Sequence, residues 1–362
     1  MTGLTLSNGV VETFGLDANR SQMVSQTATK GGNTLMSLTY SYEASAGQSG
    51  AGTTAGNTHQ MTSITGTINW SAESAAFNYD LQRRLVSSSQ TANGTSAQRR
   101  FSYDRWGNRT GVWDSVTGGV QIQAITLQQS GGAATNRITS VTNQSATVNY
   151  TYDAAGNVTD DGAHTFMYDA ENRLVGVDGG VTAQYKYDHR NRRVCKIAGS
   201  SWTHYIWEGN SVIAEHYAAT PASSIGDPPY QQGSARIDYT YSRSRFISSR
   251  QRTSSTEAWT DRYYVSDRLS TRLVTDGSGN VVGRQAHLPF GEEVAGNGTQ
   301  EKHHFTSYEA DGESGLSYAM NRQYSQGVGR FQQADPYEAS GGVRAAELEQ
   351  VHLCRERSNS QC

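Results

Sequence analysis

Tyr150-Thr151-Tyr152-Asp153-Ala154-Ala155-Gly156-Asn157 holds, in eight residues, the architectural rule of this chain. Aromatic residues at i and i+2 of an extended segment point to the same face, so the two tyrosines present a pair of rings on one side of a sheet. The aspartate that follows takes the first position of a type I turn, where its carboxylate accepts backbone N–H groups. Gly156 then supplies the left-handed position. The unit reads strand, turn, strand.

The same pattern recurs along the chain as Phe77-Asn78-Tyr79-Asp80, Phe101-Ser102-Tyr103-Asp104, Phe166-Met167-Tyr168-Asp169 and Tyr185-Lys186-Tyr187-Asp188. Looser copies are Phe14-Gly15-Leu16-Asp17, Tyr40-Ser41-Tyr42-Glu43 and Tyr205-Ile206-Trp207-Glu208. The better copies lie roughly twenty residues apart or about twice that, the range of stacked repeats. After Asp104 the glycine is Gly107, whereas Asn172 and Asn191 replace it after Asp169 and Asp188, asparagine being the next best residue at positive φ. One unit cannot bury its rings alone. Stacked units can, and each cross-strand aromatic pair then adds about 0.5–1 kcal/mol beyond burial.

Beyond the repeats, short motifs crowd the C-terminal third. They are Tyr263-Tyr264-Val265, His287-Leu288-Pro289-Phe290-Gly291-Glu292, Phe305-Thr306, Glu313-Ser314-Gly315-Leu316, Asn321-Arg322-Gln323-Tyr324 and Gly329-Arg330-Phe331, ending at Asp335-Pro336. Gly279-Asn280, set between Arg272-Leu273-Val274 and Val281-Val282, predicts a tight hairpin, and Pro289-Phe290-Gly291 predicts a chain reversal. The order of these motifs resembles the Rhs repeat-associated core. The repeats resemble the YD repeat of Rhs and teneurin-type proteins, so that the likeness runs from about Phe14 to Pro336.

The resemblance implies an all-β fold in which YD-repeat hairpins spiral into a partial hollow shell closed by a core plug. It divides the chain into a shell segment at 1–219, a proline-containing linker at 220–236, the core at 237–342 and an atypical tail at 343–362. The implied function is structural, the chain being part of a bacterial polymorphic-toxin or cell-surface protein that encloses or presents a C-terminal effector. Its implied partners are that effector and further shell repeats on the N-terminal side. Parent proteins of the family are secreted or lie at the cell surface. In the family the core can also act as an aspartic self-protease, using two aspartates whose pKa values are pushed apart. Asp335 matches the first, yet Glu338 stands where that motif carries glycine and no aspartate follows Asp335. The alternative reading of Asp335 is a turn residue ahead of proline.

Composition fits many short strands. The 362 residues are 35% hydrophobic and 17% charged with net charge −3, polar without the self-repulsion of a disordered chain. Gly 38 and Tyr 20 punctuate turns and fill half-buried strand faces. The near-neutral balance argues against nucleic acid. Arg243, Arg245, Arg250 and Arg252 cluster between serines, either on a solvated loop or toward an acidic partner. Cys195, Cys354 and Cys362 do not make a disulfide framework, and no apolar run is long enough for a signal peptide or a membrane span.

No cofactor and no metal is expected. Glu301, His303 and His304 lack a spaced third ligand, and Gly176 to Gly180 lacks the Lys-Ser/Thr of a phosphate loop. Trp70, Trp106, Trp202 and Trp207 are read as packing inside the shell or, alternatively, as a surface for cell-surface glycans. The stretches Ser45 to Asn57 and Ser87 to Ala97 read as long hairpin loops. The tail near Ala345 to Val351 alone carries a helical pattern. It departs from what related cores show there, so it is read as the product of a frameshift just after Gly342.

Overall fold

The computed structural model describes residues 3–44, 56–144, 146–218, 235–242, 245–254 and 257–335. These residues form antiparallel sheets whose strand order follows the chain order, hairpin after hairpin. A first twelve-stranded sheet runs from Gly3–Thr5 to Ala146–Asn149, and a second from Phe166–Tyr168 to Glu293–Gly298. A short pair, Thr151–Tyr152 with Val158–Asp160, links them. A four-stranded closing sheet, Glu309–Asp311, Leu316–Tyr318, Gln323–Ser325 and Arg330–Phe331, completes the fold.

The repeats work as their residues dictate. In the Tyr150 unit the Asp153 N–H donates to Asn157 O at 3.0 Å and the Gly156 N–H to Asp153 O at 3.2 Å. Asp153 Oδ1 accepts the Asn157 N–H at 2.9 Å, and Oδ2 accepts Asn157 Nδ2 at 2.8 Å. Gly156 has φ +92°, Gly107 has +89°, and Asn172 and Asn191 take the same role at +61° and +62°. In four of the five better copies the second ring reaches the neighbouring strand through its hydroxyl, whereas the buried Tyr168 hydroxyl has no hydrogen-bond partner among the described residues. Tyr79 donates to Met61 O at 2.9 Å, Tyr103 to Leu85 O at 2.6 Å and Tyr187 to Leu174 O at 2.7 Å, while Tyr152 Oη accepts the Ile138 N–H at 2.8 Å. In the Tyr205 copy Trp207 substitutes, its Nε1–H donating to Arg193 O at 2.8 Å.

A further residue completes the unit. Where arginine stands four residues after the aspartate it clasps the carboxylate, Arg84 on Asp80, Arg173 on Asp169 and Arg192 on Asp188, with Nε–Oδ2 distances of 2.7, 2.7 and 2.8 Å. The same guanidinium then reaches the next unit. Arg84 lies over the Tyr103 ring at 5.1 Å and donates to Asp104 O at 2.7 Å; Arg173 lies over Tyr187 at 5.4 Å and donates to Asp188 O at 3.3 Å. The register slips by one residue just before Tyr79, Tyr103, Tyr152, Tyr168 and Tyr187. Such bulges increase local twist and bend the strand, so a bulge in every unit curves the sheet throughout.

The ring pairs pack inward. Phe77, Phe101, Phe166 and Tyr185 are buried, and Tyr79, Tyr103, Tyr150, Tyr152, Tyr168 and Tyr187 pack half-buried against the same cores. The main core joins both large sheets, with Val10, Met36, Leu38 and Ile68 of the first against Ile247, Val265 and Leu273 of the second. Polar ties cross the same seam. Arg272 Nη2 meets Glu73 at 2.6 Å, Arg245 meets Glu12 at 2.6 Å, and Asn8 Nδ2 donates to Thr275 Oγ1 at 2.9 Å.

Three sequence expectations are corrected and one is refined. Ser87 to Ala97 is not a long loop: Leu85–Ala92 and Thr95–Tyr103 are strands joined by Asn93-Gly94, both at positive φ (49° and 76°). Gly279-Asn280 does lie in a tight hairpin, but the positive φ falls on Gly279 alone. Asp276 opens a five-residue turn of the repeat type in which Gly279 takes φ +85° and Asn280 returns its N–H to Asp276 Oδ1 at 2.9 Å. Of the arginine cluster, Arg245, Arg250 and Arg252 lie on the strand Arg245–Arg252 rather than a solvated loop, and Arg243 lies outside the described residues. Trp70 and Trp106 do not pack inside; they are 76% and 45% exposed on turns. The strands Ser211–Ala218 and Ala235–Ser242 pair directly, so the second sheet runs on from one side of 219–234 to the other. The remainder of the expected loop at Ser45 to Asn57, and the tail helix, lie outside the described residues apart from Gly56–Asn57.

Because Asp169 accepts two backbone N–H groups and the Arg173 guanidinium, Asp169→Ala should destabilise the chain by about 1–3 kcal/mol in urea denaturation. Asp169→Asn should recover roughly half of that loss. A change below about 0.3 kcal/mol for the alanine variant would show that the corner is not holding the hairpin.

Candidate functional site at the closing sheet

Most of the C-terminal motifs converge on the closing sheet, whereas Tyr263-Tyr264-Val265 lies on the strand Thr260–Ser266 of the second sheet. In the Pro289-Phe290-Gly291 turn the Leu288 N–H donates to Glu292 O at 2.7 Å and Gly291 has φ +101°. The Phe290 ring meets Phe101 edge-on at 5.0 Å, and its carbonyl accepts the Tyr324 hydroxyl at 3.0 Å. Gly315 (φ +67°) closes the turn after Glu313, its N–H donating to Asp311 O at 2.9 Å. Gly329 (φ +65°) is confined by its surroundings: a Cβ there would come within 3.0 Å of both Arg109 Nη1 and Phe290 Cδ1. Arg330 donates to Asn108, carrying the closing sheet back to a repeat turn of the first sheet. The buried Arg109 adds to that contact by donating to Gly327 O at 2.9 Å.

Beneath this sheet lies a buried charge network that sequence reading missed. Arg193, fully buried on the second sheet, sets Nη1 2.6 Å from Asp311 Oδ2 and Nη2 2.9 Å from Glu309 Oε2. The Tyr318 ring lies 4.1 Å from its guanidinium, and Tyr318 Oη accepts the Arg193 N–H at 2.8 Å. Lys196 Nζ lies 3.0 Å from Asp311 and 3.5 Å from Glu313, and Lys302 Nζ lies 2.5 Å from Glu215 and 3.0 Å from Glu309. Tyrosine hydroxyls donate to the same carboxylates: Tyr205 to Glu309 at 2.7 Å, Tyr239 to Glu215 at 2.8 Å and Tyr185 to Glu313 at 3.0 Å.

Burial alone would raise the Glu309 pKa, but Lys302, Arg193 and Lys196 overcome it and hold the carboxyl well below the ordinary carboxylate range. Burial likewise opposes the charges on Lys302 and Arg193, and their carboxylate neighbours reverse the effect. The surrounding hydroxyls are pushed up by burial, Tyr318 to about 12. Glu309, Lys302 and Arg193 are thus each held in the charged form, which suits a clasp. Glu309 and Asp311, two residues apart on one strand, share a face; that spacing was the available signal.

Asp335 sits apart from this network. Its carboxylate lies 3.2 Å from Arg322, whose guanidinium lies 3.6 Å from the Phe331 ring centroid, and Pro336 lies outside the described residues. His303 pairs with Glu301 at 2.6 Å. His287 occupies the position that tyrosine fills in a repeat, with its ring 5.0 Å from His304 and both ring nitrogens buried without a hydrogen-bond partner.

Two measurements bear on this region. Arg193→Met leaves Glu309 and Asp311 buried without their only fully buried cationic partner among the described residues and should cost about 3–5 kcal/mol, whereas adding Glu309→Gln and Asp311→Asn should restore part of it. An additive loss across the three sites would contradict the clasp. For His287, burial first, then His304 and Arg272, lower the pKa from 6.5 to about 4, with Asp267 opposing. The fold therefore favours neutral imidazole while the unfolded chain takes up the proton. Stability should be full above pH 6.5 and fall as pH drops from there toward 4. His287→Gln should flatten that slope in urea titrations at stepped pH.

Comparison with known proteins agrees with this geometry. The teneurin YD-shell family profile matches residues 12–219. The tRNA3(Ser)-specific nuclease WapA of Bacillus spizizenii is 24% identical over 253 residues, 67% of this chain and 10% of that protein. The double-stranded DNA deaminase toxin A of Burkholderia cenocepacia is 25% identical over 310 residues, 74% of this chain and 21% of that protein. Among solved structures, the TcdB2–TccC3–Cdc42 crystal structure superposes with TM-score 0.73 at 16% identity, covering 97% of this chain and 18% of that chain. The Photorhabdus luminescens Tc holotoxin pore gives 0.72 at 15% identity, with the same shares. The chain therefore spans a small part of each of these relatives. Repeat turns, inward ring pairs and the family profile lead to one conclusion: this chain belongs to the teneurin YD-shell family.

Proposed function

We propose that the chain serves as wall and closure of a polymorphic-toxin shell whose C-terminal side carries an effector. The observation that carries this reading is the Arg193 clasp, which fixes the closing sheet to the wall through buried ion pairs at 2.6 and 2.9 Å just upstream of Asp335. Relatives named as a tRNA nuclease and a DNA deaminase toxin support an effector partner. Further repeats would extend the first sheet at its edge strand Gly3–Thr5. The division into shell at 1–219, linker at 220–236, core at 237–342 and tail at 343–362 belongs to this proposal, as does a secreted or cell-surface setting. Among the described residues no helix is long and apolar enough to cross a membrane.

In this reading Asp335 is a turn residue held by Arg322 and the chain does not cut itself. Tyr79, Tyr103, Tyr152, Tyr168 and Tyr187 with their aspartates are wall residues. Pro289, Phe290, Gly291, Glu313, Gly315, Arg322, Tyr324, Gly329, Arg330, Phe331 and Pro336 are residues of the closure.

Amide exchange joined to intact-mass analysis tests the proposal. The strands Glu309–Asp311 and Gln323–Ser325 should exchange with the wall strands as one cooperative unit, and the purified chain should keep its full 39.3 kDa mass. Independent opening of the closing sheet would defeat the closure reading. A shortened product that disappears in Asp335→Asn would reinstate the protease.

A further inference from the structure

Asn93-Gly94 forms the tip of the hairpin between Leu85–Ala92 and Thr95–Tyr103, at the seam where the first sheet meets the second. Asn-Gly is the dipeptide in which an asparagine side chain reacts most readily, because glycine has no Cβ to keep its backbone nitrogen from the amide carbon. Gly94 is exposed, and nothing lies within 4 Å of the place a Cβ would take on it. The Asn93 carbonyl is held from the other sheet: Oδ1 accepts a hydrogen bond from Arg284 Nη2.

Arg284 is 8% exposed, and it donates otherwise to neutral oxygens, Ile68 O at 2.8 Å and Asn69 O at 3.5 Å. Among the described residues it makes no ion pair, since the carboxylates nearby belong to Arg272, Glu73 at 2.6 Å and Asp267 at 2.9 Å. Burial, opposed by Glu73 and reinforced by Arg272, lowers its pKa from the ordinary guanidinium value. A buried cation thus rests on amide oxygens where a carboxylate would suit it better. A cavity of about 10 Å³, room for one water, is lined by Asn93, Arg284, Arg272 and Glu73. Asn8-Gly9, the same dipeptide, is tied down instead. The Asn8 amide donates to Thr275 Oγ1 and Asp276 O at 2.9 Å each, and the Gly9 N–H donates to Leu6 O at 2.9 Å.

We propose that Asn93 is a self-modifying site, at which the chain converts its own asparagine to aspartate and supplies Arg284 with a carboxylate across the seam. The Gly94 nitrogen loses its proton to solvent and bonds to Asn93 Cγ, and negative charge gathers on Oδ1 against Arg284 Nη2. The Cγ–Nδ2 bond then breaks and ammonia leaves, closing a succinimide ring. Water adds to the ring and opens one of its two carbonyl–nitrogen bonds. Because Arg284 polarises Cγ, opening there is favoured, which restores the ordinary main chain with aspartate at position 93. Opening at the α-carbonyl, the commoner course in unfolded chains, gives isoaspartate. The net reaction consumes one water and releases one ammonia. Glu73, which accepts the Asn93 N–H at 3.1 Å, is itself neutralised by Arg272. A neutral hydrogen bond between the sheets becomes an ion pair, whether or not the chain carries an effector.

The test is to hold the full chain at physiological pH and temperature, digest it and map it by mass spectrometry with fragmentation that separates aspartate from isoaspartate. Position 93 should gain one mass unit faster than it does in a synthetic peptide spanning residues 88–98. Aspartate should exceed isoaspartate there, the reverse of the peptide. Asn8 should stay unchanged, and Asn297, exposed in the third Asn-Gly pair, should convert no faster than the peptide. Arg284→Gln should slow conversion severalfold and restore the isoaspartate excess. Asn93→Asp should raise the urea midpoint, a readout that does not depend on how well Arg284→Gln folds. Conversion no faster than in the peptide, isoaspartate in excess at position 93, or a urea midpoint unchanged or lowered by Asn93→Asp would each overturn the assignment.

Discussion

The carboxylate at the corner of each repeat is the contact from which the rest of the molecule follows. One oxygen gathers the backbone N–H groups of its own turn, and the other fixes the side chain four residues on. Where that side chain is arginine, as in Arg84, Arg173 and Arg192, its guanidinium continues to the ring and carbonyl of the following unit. A local hydrogen-bonding preference of aspartate thus becomes a link between hairpins. The bulge before each tyrosine adds curvature, and the two large sheets meet over one apolar core.

Closure obeys a different chemistry. The wall is held by short-range turns and rings, whereas the last four strands are held by largely buried ion pairs centred on the fully buried Arg193. Desolvating charges opposes folding, and the attraction inside offsets it only when geometry is complete. Tyrosines supply much of that geometry, although the Arg193 Nε–H is left without a partner among the described residues. Tyr205, Tyr239 and Tyr185 fill the remaining acceptor positions of Glu309, Glu215 and Glu313. Such an arrangement selects one register for the closing sheet over its neighbours, because a slip by one residue would turn Glu309 and Asp311 to the opposite face.

Much of this was legible in advance, for reasons that differ by residue. The i, i+2 rings and the Asp153 corner follow from the period of a strand and the chemistry of a carboxylate beside free N–H groups. Gly107, Gly156, Asn172 and Asn191 follow from the few residues that tolerate positive φ. The arginines four places on were in plain view, yet their task needs the neighbouring unit, which no local window contains. Ser87 to Ala97 misled because serine and threonine suggest loops by composition, although Asn93-Gly94 marks a two-residue turn. Trp70 and Trp106 misled in the opposite direction, since size suggests burial while turn position decides exposure. The Arg193 clasp left only half a signature, the i, i+2 pair Glu309 and Asp311, because Arg193 itself lies 118 residues from Asp311.

That separation has a counterpart in time. Glu12 meets its arginine only 233 positions later, an interval of roughly 10–50 s at ordinary ribosomal elongation rates. Throughout it the early hairpins stand with one apolar side wet and a carboxylate uncompensated, so the growing polypeptide depends on neighbour-to-neighbour hairpin contacts until its far half emerges. Mutations that slow translation within the first sheet would therefore be tolerated more readily than those that delay arrival of the second.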